Sequence, residues 1–266
     1  MNVLSILGAF LMNTAAQSSP QWPGTVDDYH GYVMHRFKID NCDCNVVEPK
    51  TALKGKPWIW RMEFFDHRPM ADLALLEKGF YLTYMDVGNT FGSPNAIEHL
   101  NKFYQEMTGK YGFKRKAVLE GFSRGGLYAY NFAAKYPKRV ASIYGDAPVC
   151  DFKSWPGGKG KGPGSKDDWD SLIKCYGFKN EREAMDFKNN PIDNLMPLAK
   201  AKIPLLHVVG SADEVVPVEE NTDVVVERYT KLGGIIQVIR KPGVGHHPHS
   251  LDDPTPIVDF VLTHMN

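Results

Sequence analysis

The stretch Lys116-Ala117-Val118-Leu119-Glu120-Gly121-Phe122-Ser123-Arg124-Gly125-Gly126-Leu127-Tyr128-Ala129-Tyr130 constrains the fold more than any other part of the chain. A short apolar run stops at Gly121, a Ser stands two residues later, and small and aromatic residues with helical spacing begin at once. That order reads as strand, tight turn, helix. Gly121-Phe122-Ser123-Arg124-Gly125 fits the G-x-S-x-G elbow, in which small residues let strand and helix pass so closely that the Ser is left exposed on a strained turn.

The rest of the chain repeats the strand-then-helix order. Tyr29 to Lys50 reads as two extended pieces around a turn at Asp40-Asn41, an antiparallel hairpin. Strands are expected at Pro57–Arg61, from Phe80, at the elbow, at Val140–Tyr144, at Ile203–Val209 and at Ile235–Ile239, eight in all with the hairpin. Helices are expected at Ala71–Gly79, after Ser93-Pro94, after Ser123, from about Val218 to Leu232, and after Thr255-Pro256. In the second of these, Ser93 supplies the N-cap, Pro94 the first helical position, and Ile97, Leu100, Tyr104 and Met107 one apolar face. A hairpin followed by alternating strands and helices predicts a mostly parallel eight-stranded sheet with helices on both faces. Residues 148 to about 200 break the rhythm. The run from Trp155 to Ser165 is rich in Gly and Pro, which predicts an inserted cap or lid rather than a core element.

Sheets of this kind place their sites at the carboxyl ends of the strands. Asp213 stands on a turn directly after the strand 203–209, and His246 follows Gly243-Val244-Gly245 directly after the strand 235–239. A serine hydroxyl needs a base within hydrogen-bond reach, and that base needs a carboxylate to fix its tautomer. Ser, Asp and His in that order, each at a strand end, meet the requirement. On these residues the chain resembles the α/β-hydrolases from about residue 35 to 264. The resemblance implies Ser123 as nucleophile, Asp213 as acid and His246 as base. Glu214 and Asp146 are the alternative acids, and His247 and His249 the alternative bases. His207, inside an apolar strand, reads as a core histidine.

An oxyanion needs two backbone N–H donors. The residue after the nucleophile, Arg124, supplies one. The second belongs to the turn after the strand at 57–61, where the family's usual His-Gly is replaced by Arg61-Met62-Glu63-Phe64; any residue of that quartet could serve, and Met62 is the one named. In the cap segment Trp155 and Trp169 are the candidate substrate contacts, with Lys153, Lys159, Lys161 and Lys166 nearby.

Composition limits the partners. Lys plus Arg and Asp plus Glu number 31 each, which gives no global field for nucleic acid or an acidic membrane surface. Hydrophobic residues at 43% and charged residues at 23% suit one globular domain, here residues 18–266. Residues 1–17 carry a short apolar run and small residues that resemble a secretory signal, although no Lys or Arg precedes the run. Secretion, or a periplasmic location, is the resulting expectation, with a cytoplasmic location as the alternative. No stretch predicts a transmembrane helix. In an exported chain Cys150 and Cys175 are spaced for a bridge across the cap segment, whereas Cys42 and Cys44 read as small buried hydrophobes. The cysteine and histidine spacings call for no metal, and the chemistry calls for no cofactor.

These features together predict a serine hydrolase of carboxylic esters, acting on a small molecule or an acetyl or feruloyl ester of a carbohydrate. A peptidase of the prolyl-oligopeptidase type is the second reading, weakened by the lack of room for that branch's usual propeller domain. A non-catalytic relative used for binding is the third.

Overall fold

Nine strands form one sheet in this computed structural model, which describes residues 21–265. In chain order they are β1 (Thr25–Tyr29), β2 (Tyr32–Ile39), β3 (Cys42–Val47), β4 (Trp58–Arg61), β5 (Tyr81–Met85), β6 (Ala117–Phe122), β7 (Val140–Asp146), β8 (Leu205–Gly210) and β9 (Ile236–Lys241). Their order across the sheet is β1-β2-β3-β5-β4-β6-β7-β8-β9. The first three join β5 antiparallel, and every pairing from β5 to β9 is parallel. The fold is α/β as expected, with one strand more than the predicted eight. The extra strand is β1, an edge strand whose Asp27 and Asp28 and largely exposed residues carry little of the apolar signal that marks the inner strands.

The inner strands are apolar on both sides because helices cover both faces. The helices are α1 (Met70–Glu77), α2 (Pro94–Gly109), α3 (Gly125–Lys135), α4 (Lys166–Tyr176), α5 (Glu181–Asp186), α6 (Met196–Lys200), α7 (Thr222–Lys231) and α8 (Thr255–Thr263). Along β6, Ala117 and Leu119 enter the core shared with α2, α3 and α7, while Val118 and Phe122 enter the core shared with α1 and α8. Ser93 caps α2 as predicted, its Oγ accepting from Ala96 N. The α7 helix starts at Thr222 rather than Val218, because residues 218–220 form a single 3-10 turn.

Between β7 and β8 the chain makes a Gly-rich excursion and then α4 to α6. A third apolar cluster, with Phe152, Trp169 and Leu172 against Phe91 and Leu127, packs this segment on the body. Asn221 pins it: its Oδ1 accepts from Cys150 N and Asp151 N, and its Nδ2 donates to Ser154 Oγ. All four cysteines are free thiols, so the bridge between Cys150 and Cys175 is absent, and burial pushes the Cys150 thiol up. The signal-like residues 1–17 lie outside the described residues. Among the described residues no helix is long and apolar enough to cross a membrane.

The sheet reverses its order at β4 and β6: the chain leaves β4 for β5 on one side and returns to β6 on the other. A crevice therefore opens beyond the carboxyl ends of β4 and β6, the place where such sheets bind their ligands.

Candidate active site

Ser123 stands in that crevice with φ at +49°, a conformation that L-residues rarely adopt. Three backbone bonds hold it there: Ser123 N donates to Asp146 O at 2.8 Å, while its carbonyl accepts from Gly126 N at 3.0 Å and Val149 N at 2.8 Å. A Cβ at Gly121 would lie 2.7 Å from Gly125 O, so the close crossing of β6 and α3 requires glycine at that point.

His246 Nε2 lies 3.0 Å from Ser123 Oγ, and its Nδ1 lies 2.7 Å from Asp213 Oδ2. The other Asp213 oxygen accepts from Val215 N at 2.9 Å and Val216 N at 2.8 Å. With a carboxylate at Nδ1, that nitrogen carries the proton and Nε2 is left to accept from the serine hydroxyl. The loops after β8 and β9 are laced together by Ser211 N to Lys241 O and Ala212 N to Val244 O. A Cβ at Gly210 would meet Gly245 O at 2.2 Å, so glycine there lets the acid and base loops touch. The rivals of this set have other partners or none at hand. Glu214 is exposed. Asp146 accepts from His249 Nδ1 at 2.7 Å, Ser250 N at 2.9 Å and Tyr144 OH at 2.7 Å. His207 is fully buried between Tyr130 OH and Thr222 Oγ1.

The oxyanion donors need one correction. Among the described residues the Arg124 N–H makes no backbone hydrogen bond, and it stands at the start of α3, where partial positive charge gathers. The Met62 N–H donates to Glu120 O at 2.9 Å, which extends the β4–β6 ladder by one residue and removes it from use. The amides of Glu63 and Phe64, next in the same turn, have no backbone acceptor among the described residues. The Arg124 side chain holds this turn against the elbow, with Nη2 2.9 Å from Glu63 Oε1 and the guanidinium 4.8 Å from the centre of the Phe64 ring. Burial pushes the Glu63 carboxyl up, and the Arg124 charge opposes that shift.

Arg61 entered the sequence reading only as a member of the 61–64 turn, without the part that its side chain plays. Its buried guanidinium donates to Asp72 Oδ2 at 2.6 Å and Glu120 Oε1 at 3.2 Å, and to the carbonyls of Phe64 and His67. It thus ties α1, β4 and β6 together and anchors the turn that follows β4.

A cavity of about 220 Å³ opens over Ser123, lined by Phe64, His67, Ser123, His246, His247 and His249. Trp155 and Trp169 do not line it. Trp169 is buried against Phe152, and Trp155 packs toward Phe91. Both serve the apolar cluster that seats the 148–200 segment, so aromatic side chains there were taken up by packing. His67 and His247 are pushed down, first by burial and then by neighbouring positive groups, which favours neutral imidazoles around the cavity.

No protein-family model matches the chain, and no curated protein does. Solved structures do. A puromycin hydrolase superposes with a TM-score of 0.65 at 15% identity, over 82% of this chain and 36% of its own. The acylaminoacyl peptidase of Pyrococcus horikoshii gives 0.59 at 16% identity, over 84% and 38%. A proposed lipase (lip1) of Acinetobacter baumannii gives 0.58 at 17% identity, over 88% and 92%. The fold is that of the α/β-hydrolases. The chain spans about a third of the length of the puromycin hydrolase it resembles.

Proposed function

We propose that the protein is a serine hydrolase that cleaves a short-acyl carboxylic ester through an acyl-enzyme. The observation that carries this reading is the relay from Ser123 Oγ to His246 Nε2 at 3.0 Å and from His246 Nδ1 to Asp213 at 2.7 Å, with the Ser on a strained elbow. Ser123 Oγ attacks the ester carbonyl and passes its proton to His246 Nε2, while Asp213 stabilises the imidazolium. The carbonyl oxygen, now an oxyanion, takes hydrogen bonds from the Arg124 N–H and from the Glu63–Phe64 turn. Collapse expels the alcohol, which receives the proton from His246. Water then repeats the sequence and releases the carboxylic acid and free Ser123.

Two observations favour an ester with a small acyl group over a peptide. The cavity of about 220 Å³ is small, and no carboxylate among the described residues lines it to receive a peptide's amino terminus. The volume also favours acetyl over feruloyl, and the carbohydrate half of the expectation has lost the support of Trp155 and Trp169. The test is hydrolysis of 4-nitrophenyl acetate beside an aminoacyl 4-nitroanilide. Ester turnover that falls about a thousandfold or more in Ser123→Ala supports the reading. Faster cleavage of the anilide would transfer it to the peptidases, and full activity of the variant would end it.

A further inference from the structure

Three histidines that play no part in the proton relay converge at the mouth of the Ser123 cavity. His67 comes from the loop after β4, and His247 and His249 from the loop after β9. Each can offer one ring nitrogen, and these atoms lie within 4.8 Å of one another. The sequence could not bring them together, because 180 residues separate His67 from His247.

We infer that His67, His247 and His249 form a binding site for a borderline divalent transition metal of the zinc type, and that the bound ion closes the cavity over Ser123. His249 is the fixed member. Its Nδ1 donates to Asp146 Oδ1 at 2.7 Å, which leaves the Nε2 lone pair free and the ring unable to turn. Asp146 is itself held by Ser250 N and Tyr144 OH. A carboxylate behind a ligating imidazole is the arrangement that orients such ligands and raises their basicity. The rings of His67 and His247 make no hydrogen bond among the described residues, and both residues are exposed. They can therefore rotate onto the fixed nitrogen.

Zinc–nitrogen bonds of about 2.0–2.1 Å place tetrahedral ligand atoms about 3.4 Å apart, so the cluster must close by roughly 1.4 Å. Side-chain rotation has to supply that closure, since the His67 backbone is held by Arg61 Nη1 at its carbonyl and by Phe64 O at its amide. Three imidazoles without a thiolate or carboxylate ligand suit zinc, copper or nickel rather than calcium or magnesium. They leave a fourth position open, as three-ligand zinc sites do. The fields on the two sides oppose each other. Asp146 favours the cation, whereas the Arg61 and Arg68 charges on the His67 side oppose it. Binding is accordingly weaker than in a closed structural zinc site. Because all three residues line the same cavity as Ser123 and His246, an ion there stands where an ester would have to enter.

Metal binding does not depend on the proposed hydrolase activity, whereas closure of the cavity rests on it. Calorimetric titration of the tag-free full chain with zinc chloride alone is therefore run on the parent and on Ser123→Ala. One ion per chain is expected in both, with affinity lowered about tenfold or more in His67→Ala and in His247→Ala. Ester hydrolysis by the parent is expected to fall along the binding curve and to recover with chelator, and the inhibition curve of His67→Ala to shift by the same factor. No binding by the parent, or undiminished affinity in either histidine variant, would overturn the site. Saturation with undiminished hydrolysis would overturn the closure. A chain that hydrolyses nothing but binds zinc through these residues would refute the hydrolase reading and leave the site standing.

Discussion

Ser123, His246 and Asp213 each occupy the first turn after a parallel strand, where the backbone has left the ladder and the side chain faces the crevice. That regularity made the three positions readable from the sequence. The turn for a second oxyanion donor was readable but the residue within 61–64 was not, because it depends on where the β4–β6 ladder ends. The ladder runs one residue further than the apolar run suggests and takes the Met62 amide with it. The same turn explains why Arg124 matters beyond its N–H. Its side chain is the clamp on Glu63 and Phe64, so Arg124→Met is expected to lower kcat about 10- to 100-fold by letting the donor turn drift. KM should change less, since five of the six residues that line the cavity lie outside the Glu63–Phe64 turn. Steady-state kinetics on an aryl acetate separate the two, and a rise in KM alone would assign Arg124 to binding instead.

At the level of the elements, α1, β4 and β6 are joined below the site by Arg61, Asp72 and Glu120, all fully buried. Burial pushes the Glu120 carboxyl well above its usual range, and the Arg61 charge opposes that shift. The guanidinium also covers the Phe122 ring, 4.3 Å from its centre. Arg61→Met removes the group that bonds both carboxyls and the two turn carbonyls. It is expected to cost about 3–5 kcal/mol of stability, measurable by urea unfolding. Arg61→Lys should recover little of this, because an ammonium cannot reach four acceptors in fork geometry. A loss below about 1 kcal/mol would show that the cluster relaxes around the gap. The sequence hid this network: Arg61 and Glu120 sit inside apolar strands, and Asp72 begins an ordinary helix. Strand and helix boundaries, by contrast, were legible wherever Gly, Pro or a capping Ser marked them. The edge strand β1 was missed because its residues are largely exposed, α4 and α5 because they pack on a satellite cluster rather than the central core, and α6 because five residues are too short to show a period.

Across the whole molecule, stability should depend on pH through His207. This ring is completely buried, and loss of solvation pushes its pKa down to about 3. The unfolded chain takes up this proton near the ordinary value of 6.5, and the folded chain does not. The His207 contribution is thus complete above about pH 6.5 and is lost progressively as pH falls toward 3, at about 1.4 kcal/mol per pH unit. In His207→Gln the slope of unfolding free energy between pH 4 and 6 should be shallower by about that amount. An unchanged slope would mean that the ring is protonated in the folded protein.

The site as a whole is assembled from loops that follow β4, β6, β8 and β9, spread across most of the chain and brought together by the reversal of strand order at β4 and β6. The central claim is that this assembly activates Ser123. Reaction of the folded protein with a fluorophosphonate, followed by mass analysis of the peptide that contains Ser123, tests it most directly. One phosphonyl group per chain is expected on Ser123, with much slower labelling in His246→Ala. An unlabelled folded protein, or equal labelling of Ser123→Ala, would contradict it.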